Sequence, residues 1–335
     1  MFKLKIKNIL RKIRNICVYI CSKNRLLSRV FFMITGDFDR EFESTLKGRY
    51  DALTHKYSHS NSNANIRRGI HRLEKGLFHA NPRQKFGKLV FTELLNEVKK
   101  YDIKNMEFNE LEWLVKTLKA YVNFSETPSI VENTIKVAQK ELLQKNGELA
   151  LEMNKSPEFI GFKDTLYNRK SVRFFDNEPV DKNKIAQCVE IAKSAPTACN
   201  RQPYHLELLT EKKDIMKIGE MAPGTAGWLD GVPVLGVVVG HSNSFRFTRD
   251  RHLIYFDSGL FVSNLVNSFV TVGLASCICN WVPSWKADRA AIRYLGYDLS
   301  KTVVCLIAIG NSQGVPSPTS IKKTNNNILR IRNES

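Results

Sequence analysis

The chain of 335 residues is poor in acidic side chains. It has 33 Asp and Glu against 51 Lys and Arg, so its formal net charge is +18. The first 36 residues contain no acid, and Asp37 is the first one. A positive field of this kind favours phosphate-bearing ligands, anionic membranes or nucleic acid, without choosing among them. The hydrophobic fraction of 43% is sufficient for a packed core, and the length allows one large domain or two ordinary ones.

The sequence also lacks the usual nucleotide-binding motifs. No Gly-x-Gly-x-x-Gly follows a strand pattern, and there is no Gly-Lys-Ser/Thr P-loop. Nor is there a triad-like Ser, His and Asp cluster or an internal repeat. The basic residues do not interleave with aromatic residues as in a single-strand binding platform, so we expect no nucleic-acid partner.

Cysteines are few and show no pairing pattern. The odd count of seven and the scattered spacing predict reduced thiols and a cytoplasmic protein. Cys277 and Cys279 are too close for the usual zinc pair, and no second pair completes a site. A strand with the two thiols on alternate faces is the favoured interpretation. His71 and Glu74 share a helix face but have no further ligands at matching spacing, so we expect a structural pair and no metal.

Residues 1–36 combine basic side chains with interleaved apolar ones. The basic residues interrupt any apolar run long enough to span a bilayer, and no small-residue cleavage site follows. Two interpretations stay open: an amphipathic helix on an anionic membrane surface, and an accessory helix with a solvated basic face. Peripheral membrane association is therefore an alternative to a purely cytoplasmic location.

Periodicity divides the rest of the chain into a helical accessory region, 37–155, and a mixed region, 156–335. Apolar residues at helical spacing predict helices over 89–101, 110–124 and 131–143. From Phe159 onward helices alternate with strands, which indicates a layered helix-and-sheet domain. The predicted strands are 204–209, 232–239, 276–282 and 302–309; the longer predicted helices between and before them are 182–194, 257–274 and 286–295.

The stretch from Arg169 to Tyr204 is suited to a phosphorylated planar cofactor. Arg169, Ser171 and Arg173 occupy alternate positions and would point one way in an extended segment. Arginine is the strongest phosphate donor, because its guanidinium binds in a bidentate manner. The loop that follows, 196–202, offers backbone groups and amides to the edge of a planar ring. A flavin requires both features and does not require a general base.

These residues also form a recognisable pattern. Arg169-x-Ser171-x-Arg173-x-Phe175, followed by Ser194-Ala195-Pro196-Thr197-x-x-Asn200-x-Gln202-Pro203, resembles the nitroreductase family of FMN-dependent oxidoreductases. Asp257-x-Gly259, Gly273 to Cys277 and Ile309-Gly310 follow in the family's order, so the resemblance extends over about residues 160–330. It implies an α+β fold, a three-layer sandwich around a mainly antiparallel sheet, preceded here by an all-helical segment. It also implies a homodimer with FMN at the subunit interface.

The resemblance implies a redox reaction and a set of cofactor residues. NAD(P)H would pass hydride through flavin N5 to an unidentified small-molecule acceptor. The residues matching those near the FMN phosphate and ribityl chain are Arg169, Lys170, Ser171, Arg173 and Lys323 (or its neighbour Lys322). Those matching the loop along the ring, often contributed by the partner subunit, are Pro196, Thr197, Ala198, Asn200 and Gln202. Those matching the segment near N5 are Cys277, Ile278 and Cys279.

Two further features bear on substrate and context. The segment from His71 to Gly76, together with Cys279-Asn280-Trp281, resembles a subgroup met among bacterial polysaccharide-biosynthesis genes. The basic stretch Arg246 to His252 falls where a substrate lid would lie, with a solvated loop as the alternative. We therefore take His71, Arg249 and Arg251 as candidate substrate residues. A non-catalytic flavin-binding or scaffold protein at a membrane surface remains the alternative to an enzyme.

Overall fold

The computed structural model describes residues 12–13, 15–54, 64–77, 87–106, 108–125, 132–144, 159–282 and 284–314. Lys322 and Lys323 lie outside these residues. Residues 15–22 are helical. The helices that follow in the first half are α1 Arg25–Thr35, α2 Asp39–Thr54, α3 Ala64–Leu77, α4 Lys88–Lys100, α5 Phe108–Ser125 and α6 Glu132–Gln144. The later helices are α7 Phe159–Asn168, α8 Lys182–Ala192, α9 Lys212–Gly219, α10 Leu253–Thr271 and α11 Trp285–Tyr294.

Within the described ranges, four strands form one antiparallel sheet in the order β1-β2-β4-β3. They are β1 Tyr204–Leu209, β2 Val234–His241, β3 Ala275–Asn280 and β4 Lys301–Gly310. The prediction of a mainly antiparallel sheet accompanied by a helical region is confirmed. Strand β2 begins two residues later than predicted, because Pro233 has no N–H to contribute to a ladder.

Helices pack on both faces of the sheet. On one face, Leu235, Val237 and Leu306 share a core with side chains of α9 and α11. On the other, Val238 and Ile307 share a core with side chains of α8 and α10. The central strands β2 and β4 are therefore buried on both sides, as their near-continuous apolar sequences predict.

Cys277 and Cys279 lie on the same face of β3, in the core that also contains Trp281. The expectation of alternate faces is wrong, because side chains two residues apart on a strand point to the same side. All seven cysteines are free thiols.

Helices α3 to α6 form a separate core around Ile70, Leu94 and Leu114. Helix α2 instead packs against the sheet domain. Its Arg40 pairs with the buried carboxylate of Asp288 on α11 and also donates to the carbonyl of Lys301. At Gly48 an added Cβ would meet the backbone of Ser242 at 2.5 Å, so the close approach of α2 requires glycine. The predicted boundaries at 36/37 and 155/156 stay predictions.

Among the described residues, one helical stretch is apolar and long enough to cross a membrane, Thr248–Thr271. Half of its apolar window is buried inside the protein. It contains α10, whose Phe261, Leu265 and Phe269 pack against the sheet. A core helix passes this test on the same grounds, so the stretch is explained by its place in the fold.

Candidate functional site

The segment 169–176 runs beside β3, and we call it the cationic edge. Ser171 forms a parallel bridge with Ser276, and the Val172 N–H donates to the Ser276 carbonyl at 3.0 Å. Further along, Phe175 bridges Ser312 and is buried. The segment is thus held extended against the sheet, as the alternate spacing of its polar residues requires.

The arginines of the cationic edge lie close to Cys277 on β3. The hydrogen bond with Cys279 lowers the pKa of Cys277, and the charges of Arg173 and Arg169 act in the same direction against burial. In the part of the chain that the structure describes, no carboxylate pairs with either guanidinium. These cations are available to an anion. Between the thiols, Ile278 is exposed on the opposite face.

Residues 196–203 precede β1, and we call them the left-handed loop. Cys199, Asn200 and Gln202 have φ values of 54°, 51° and 49°. Non-glycine residues rarely adopt such values, and each costs about 1–3 kcal/mol unless the surrounding structure imposes it. A cluster of three in one short loop is typical of a functional site.

Hydrogen bonds within the loop and from α10 impose this conformation. The Ala198 N–H donates to Asp257 Oδ2 at 3.0 Å, and the Gln202 N–H donates to Thr197 Oγ1 at 3.2 Å. Gln202 Nε2 donates to Asn200 Oδ1 at 2.9 Å, so the two amides are oriented by each other. Burial raises the pKa of Asp257, while the Ala198 N–H favours its charged form.

A second support comes from Arg67 on α3. Its Nε donates to the Asn200 carbonyl, and its Nη1 lies 3.5 Å from Glu110 Oε1. Its guanidinium also lies over the Trp113 ring at 5.6 Å. We did not single out Arg67 from the sequence. The available signal was its position four residues before His71, on the same helix face.

His71 lies near the left-handed loop. It lines a cavity of about 710 Å³ together with Arg67, Asn200 and Gln202. Its Nδ1 is 3.8 Å from Glu74 Oε2, and the other Glu74 oxygen accepts from Trp113 Nε1 at 3.0 Å. The structure therefore brings this candidate substrate residue together with two of the predicted ring-lining residues.

The other two substrate candidates lie elsewhere. Arg251 Nε donates to Glu41 Oε1 on α2 at 2.9 Å. Arg249 is exposed, stacks over Phe247 and lies 3.7 Å from its neighbour Asp250. Neither arginine lines the cavity that contains His71.

Within one chain the cationic edge and the left-handed loop lie at opposite corners of the sheet. The loop leads into Tyr204, which pairs through Gly240 of β2 with Thr302 of β4. Ser276, beside the cationic edge, pairs with Ile309. From Thr302 to Ile309 the strand rises about 24 Å, and β1 and β3 are about 14 Å apart across the sheet. The predicted cofactor residues therefore form two separate groups.

Comparison with known proteins gives a family match over part of the chain. Residues 166–226 match the family model described as Nitroreductase family. The match includes Arg169, Ser171 and Arg173, the whole left-handed loop and β1. It supports the resemblance that the motifs indicate for this segment.

Particular relatives are similar over limited parts of the chain. The protein named FMN reductase (NAD(P)H) of Bacillus subtilis (strain 168) is 33% identical over 70 residues, 21% of this chain, and the chain spans 28% of that relative's length. An FMN-dependent nitroreductase of Clostridium difficile R20291 is 19% identical, with a TM-score of 0.45 over 52% of this chain and 99% of that one. A nitroreductase-like protein of Streptococcus mutans gives 18% and 0.46, with coverage of 52% and 99%.

Proposed function

We propose that this chain is an FMN-dependent oxidoreductase that takes hydride from NAD(P)H and passes it to a small-molecule acceptor. The observation that carries the proposal is the cationic edge, where Arg169 and Arg173 flank Ser171 without a carboxylate partner in the described residues. The match of residues 166–226 to the nitroreductase model supports it, as does the name of the Bacillus relative.

The residues present fit FMN. The two guanidiniums and the Ser171 hydroxyl would hold the phosphate, because bidentate arginine contacts are the strongest available to that group. The mutually oriented amides of Asn200 and Gln202 would meet the polar edge of the ring. When bound, the flavin supplies hydride transfer, and the chain supplies binding and orientation.

The proposed enzyme is a homodimer with the family's three-layer sandwich. The cationic edge of one copy and the left-handed loop of the other together hold each cofactor. Two observations support this arrangement. The two groups lie at opposite corners of the sheet, and helices pack on both of its faces between them. Each site is incomplete without the second copy.

The direct test is flavin content. Protein purified without added cofactor should release FMN on denaturation and should oxidise NAD(P)H with a quinone acceptor. Protein that is colourless and cannot be reconstituted with FMN would contradict the proposal. Flavin without turnover would favour the alternative, a non-catalytic flavin-binding or scaffold protein.

Helix α1 favours a membrane-surface location. No residue of α1 is buried, and Leu26, Met33 and Ile34 are more than half exposed. Arg25 and Arg29 add positive charge, and such a helix binds anionic lipid surfaces through both its apolar face and its charge. Cosedimentation with phosphatidylserine vesicles, but not with phosphatidylcholine vesicles, is expected. Replacing Leu26 and Ile34 with serine should abolish it.

As the biological context of this activity, we propose cell-surface polysaccharide metabolism. It rests on the resemblance of the segment from His71 to Gly76 to the polysaccharide-associated subgroup. His71 lines the cavity beside the left-handed loop, where an acceptor would approach the ring. His71→Ala should raise KM for the acceptor while flavin content stays unchanged.

A further inference from the structure

A second cavity of about 710 Å³ runs around the edge strand β1. Helix α8 and the apolar side chains of β1 line it on one face of the sheet, and His205, His241 and Lys301 line it on the other. Of the predicted site residues that the structure describes, only Gln202 lines it. Its volume falls in the usual range for small-molecule sites, about 300–1,000 Å³. One wall is apolar and is formed by Ile185, Val189, Leu206, Leu208 and Phe261. This wall would accommodate an aliphatic or aromatic body.

The other end of the cavity is cationic and buried. Lys301 is 1% exposed and Arg201 is 5% exposed. The Lys301 ammonium donates to Asn243 Oδ1 at 3.2 Å, and Arg201 Nη1 donates to the Ala198 carbonyl at 3.2 Å. Both acceptors are neutral. Among the described residues that line the cavity there is no aspartate or glutamate, whereas Arg67, Lys182 and Lys193 line it as well.

A hydrogen-bonded histidine pair completes the polar end. His205 Nδ1 lies 2.6 Å from His241 Nε2, and His205 Nε2 lies 2.8 Å from the Tyr297 hydroxyl. That hydroxyl donates to Glu207 Oε2 at 2.7 Å, so His205 Nε2 is the donor to Tyr297. Burial lowers the pKa of both histidines, so they are neutral near pH 7. The positive charge at this end therefore comes from Lys301 and Arg201.

We propose that this cavity binds a small molecule with an apolar body and one anionic head, a carboxylate or a phosphate. The head pairs with Lys301 and Arg201, and the body lies along α8 and β1. The carboxylates that act on these cations, Asp298 and Asp51 on Lys301 and Asp257 on Arg201, do not line the cavity. An anionic head would therefore add a charge-assisted contact on the cavity side. The inference goes beyond the proposed redox activity and holds whether or not the chain carries flavin.

Calorimetric titration of the purified, flavin-loaded protein tests the site with four probes of equal chain length. Octanoate and octyl phosphate should bind, whereas octanol and octylammonium should not. Comparison of the two anions distinguishes a carboxylate site from a phosphate site. Lys301→Met keeps the side-chain length and should weaken anion binding by about tenfold to a hundredfold, because a charged hydrogen bond is lost. Lys217→Met, on the exposed side of α9, is the matched control and should bind as the wild type does.

Ala186→Phe provides a second variant at an exposed helix position that lines the cavity. It should fold normally and lose binding of both anions, so the test holds even if the Lys301 variant is unstable. Equal affinity for octylammonium, or unchanged anion binding in folded Lys301→Met or in Ala186→Phe, would overturn the proposal. Release of one FMN for each octanoate bound would also overturn it, because the cavity would then belong to the cofactor.

Discussion

The cationic edge and the left-handed loop are built in opposite ways. The cationic edge is a regular extended segment held by backbone bonds to β3, with its arginines left unpaired among the described residues. The left-handed loop is strained and is held by side chains from two distant helices, Arg67 of α3 and Asp257 of α10. The cationic edge provides positive charge on a regular backbone, and the left-handed loop provides an irregular backbone conformation that tertiary contacts hold in place. A phosphorylated planar ligand requires both, and a single chain does not bring them together.

The largest effect is expected at the cationic edge. Replacing both Arg169 and Arg173 with alanine removes two charge-assisted contacts, each worth about 1.5–3 kcal/mol. FMN affinity should fall by about a hundredfold to ten-thousandfold, while the free energy of unfolding of the flavin-free protein stays unchanged. Fluorescence titration with FMN and urea unfolding measure the two quantities. Arg293→Ala, an exposed arginine on α11, is the control.

The left-handed loop should respond in stability as well as in binding. Asp257→Ala leaves the Ala198 N–H without its acceptor and should lower the free energy of unfolding by about 1–3 kcal/mol. FMN affinity should fall with it, since the loop loses its conformation. Urea unfolding of the flavin-free protein measures the change in stability. A variant with full stability and weaker flavin binding would mean that Asp257 acts on the ligand directly.

Lys301, in the cavity next to the left-handed loop, should make the free energy of unfolding depend on pH. The cationic edge does not share this contribution. Burial lowers the pKa of Lys301 to about 8 from 10.5. Between these values the unfolded chain binds more protons than the folded one, so stability should rise with pH by up to about 1.4 kcal/mol per unit. Lys301→Met should lack this rise. The groups that face the ammonium are Asn243, Asp298, Asp51, Lys47, His241 and His205.

Urea unfolding of the wild type and of Lys301→Met at pH 7.5, 9 and 10 isolates this contribution. Parallel profiles for the two proteins would contradict it.

The smallest effect concerns backbone strain. Cys199→Gly relieves a left-handed residue and should change the free energy of unfolding by less than about 1 kcal/mol, toward greater stability, because strain relief exceeds the entropic cost of glycine. Val172→Gly, in the extended cationic edge, has no strain to relieve and should be destabilising. Changes of opposite sign in the free energy of unfolding would support the difference in backbone strain between the two segments. Changes of the same sign would contradict it.

Features that depend on local sequence patterns could be predicted, whereas features that depend on long-range contacts could not. The bounds of β1, 204–209, and the extended state of Arg169 to Arg173 could be predicted, because both depend on alternation over a few residues. The support of the left-handed loop could not. Arg67 lies 133 positions before Asn200, and Asp257 lies 59 positions after Ala198, so only folding brings them together. Lys301 is similar, since nothing in its local sequence marks a buried ammonium.

The central claim is that each cofactor site combines the cationic edge of one chain with the left-handed loop of another. Two tagged chains, one carrying Arg169→Ala with Arg173→Ala and the other carrying Asn200→Ala with Gln202→Ala, should each form flavin-free dimers. The mixed dimer, isolated through both tags, has one intact edge facing one intact loop if the site forms between chains. We predict one FMN for each mixed dimer. A mixed dimer without flavin, while the wild-type dimer carries it, would contradict the claim.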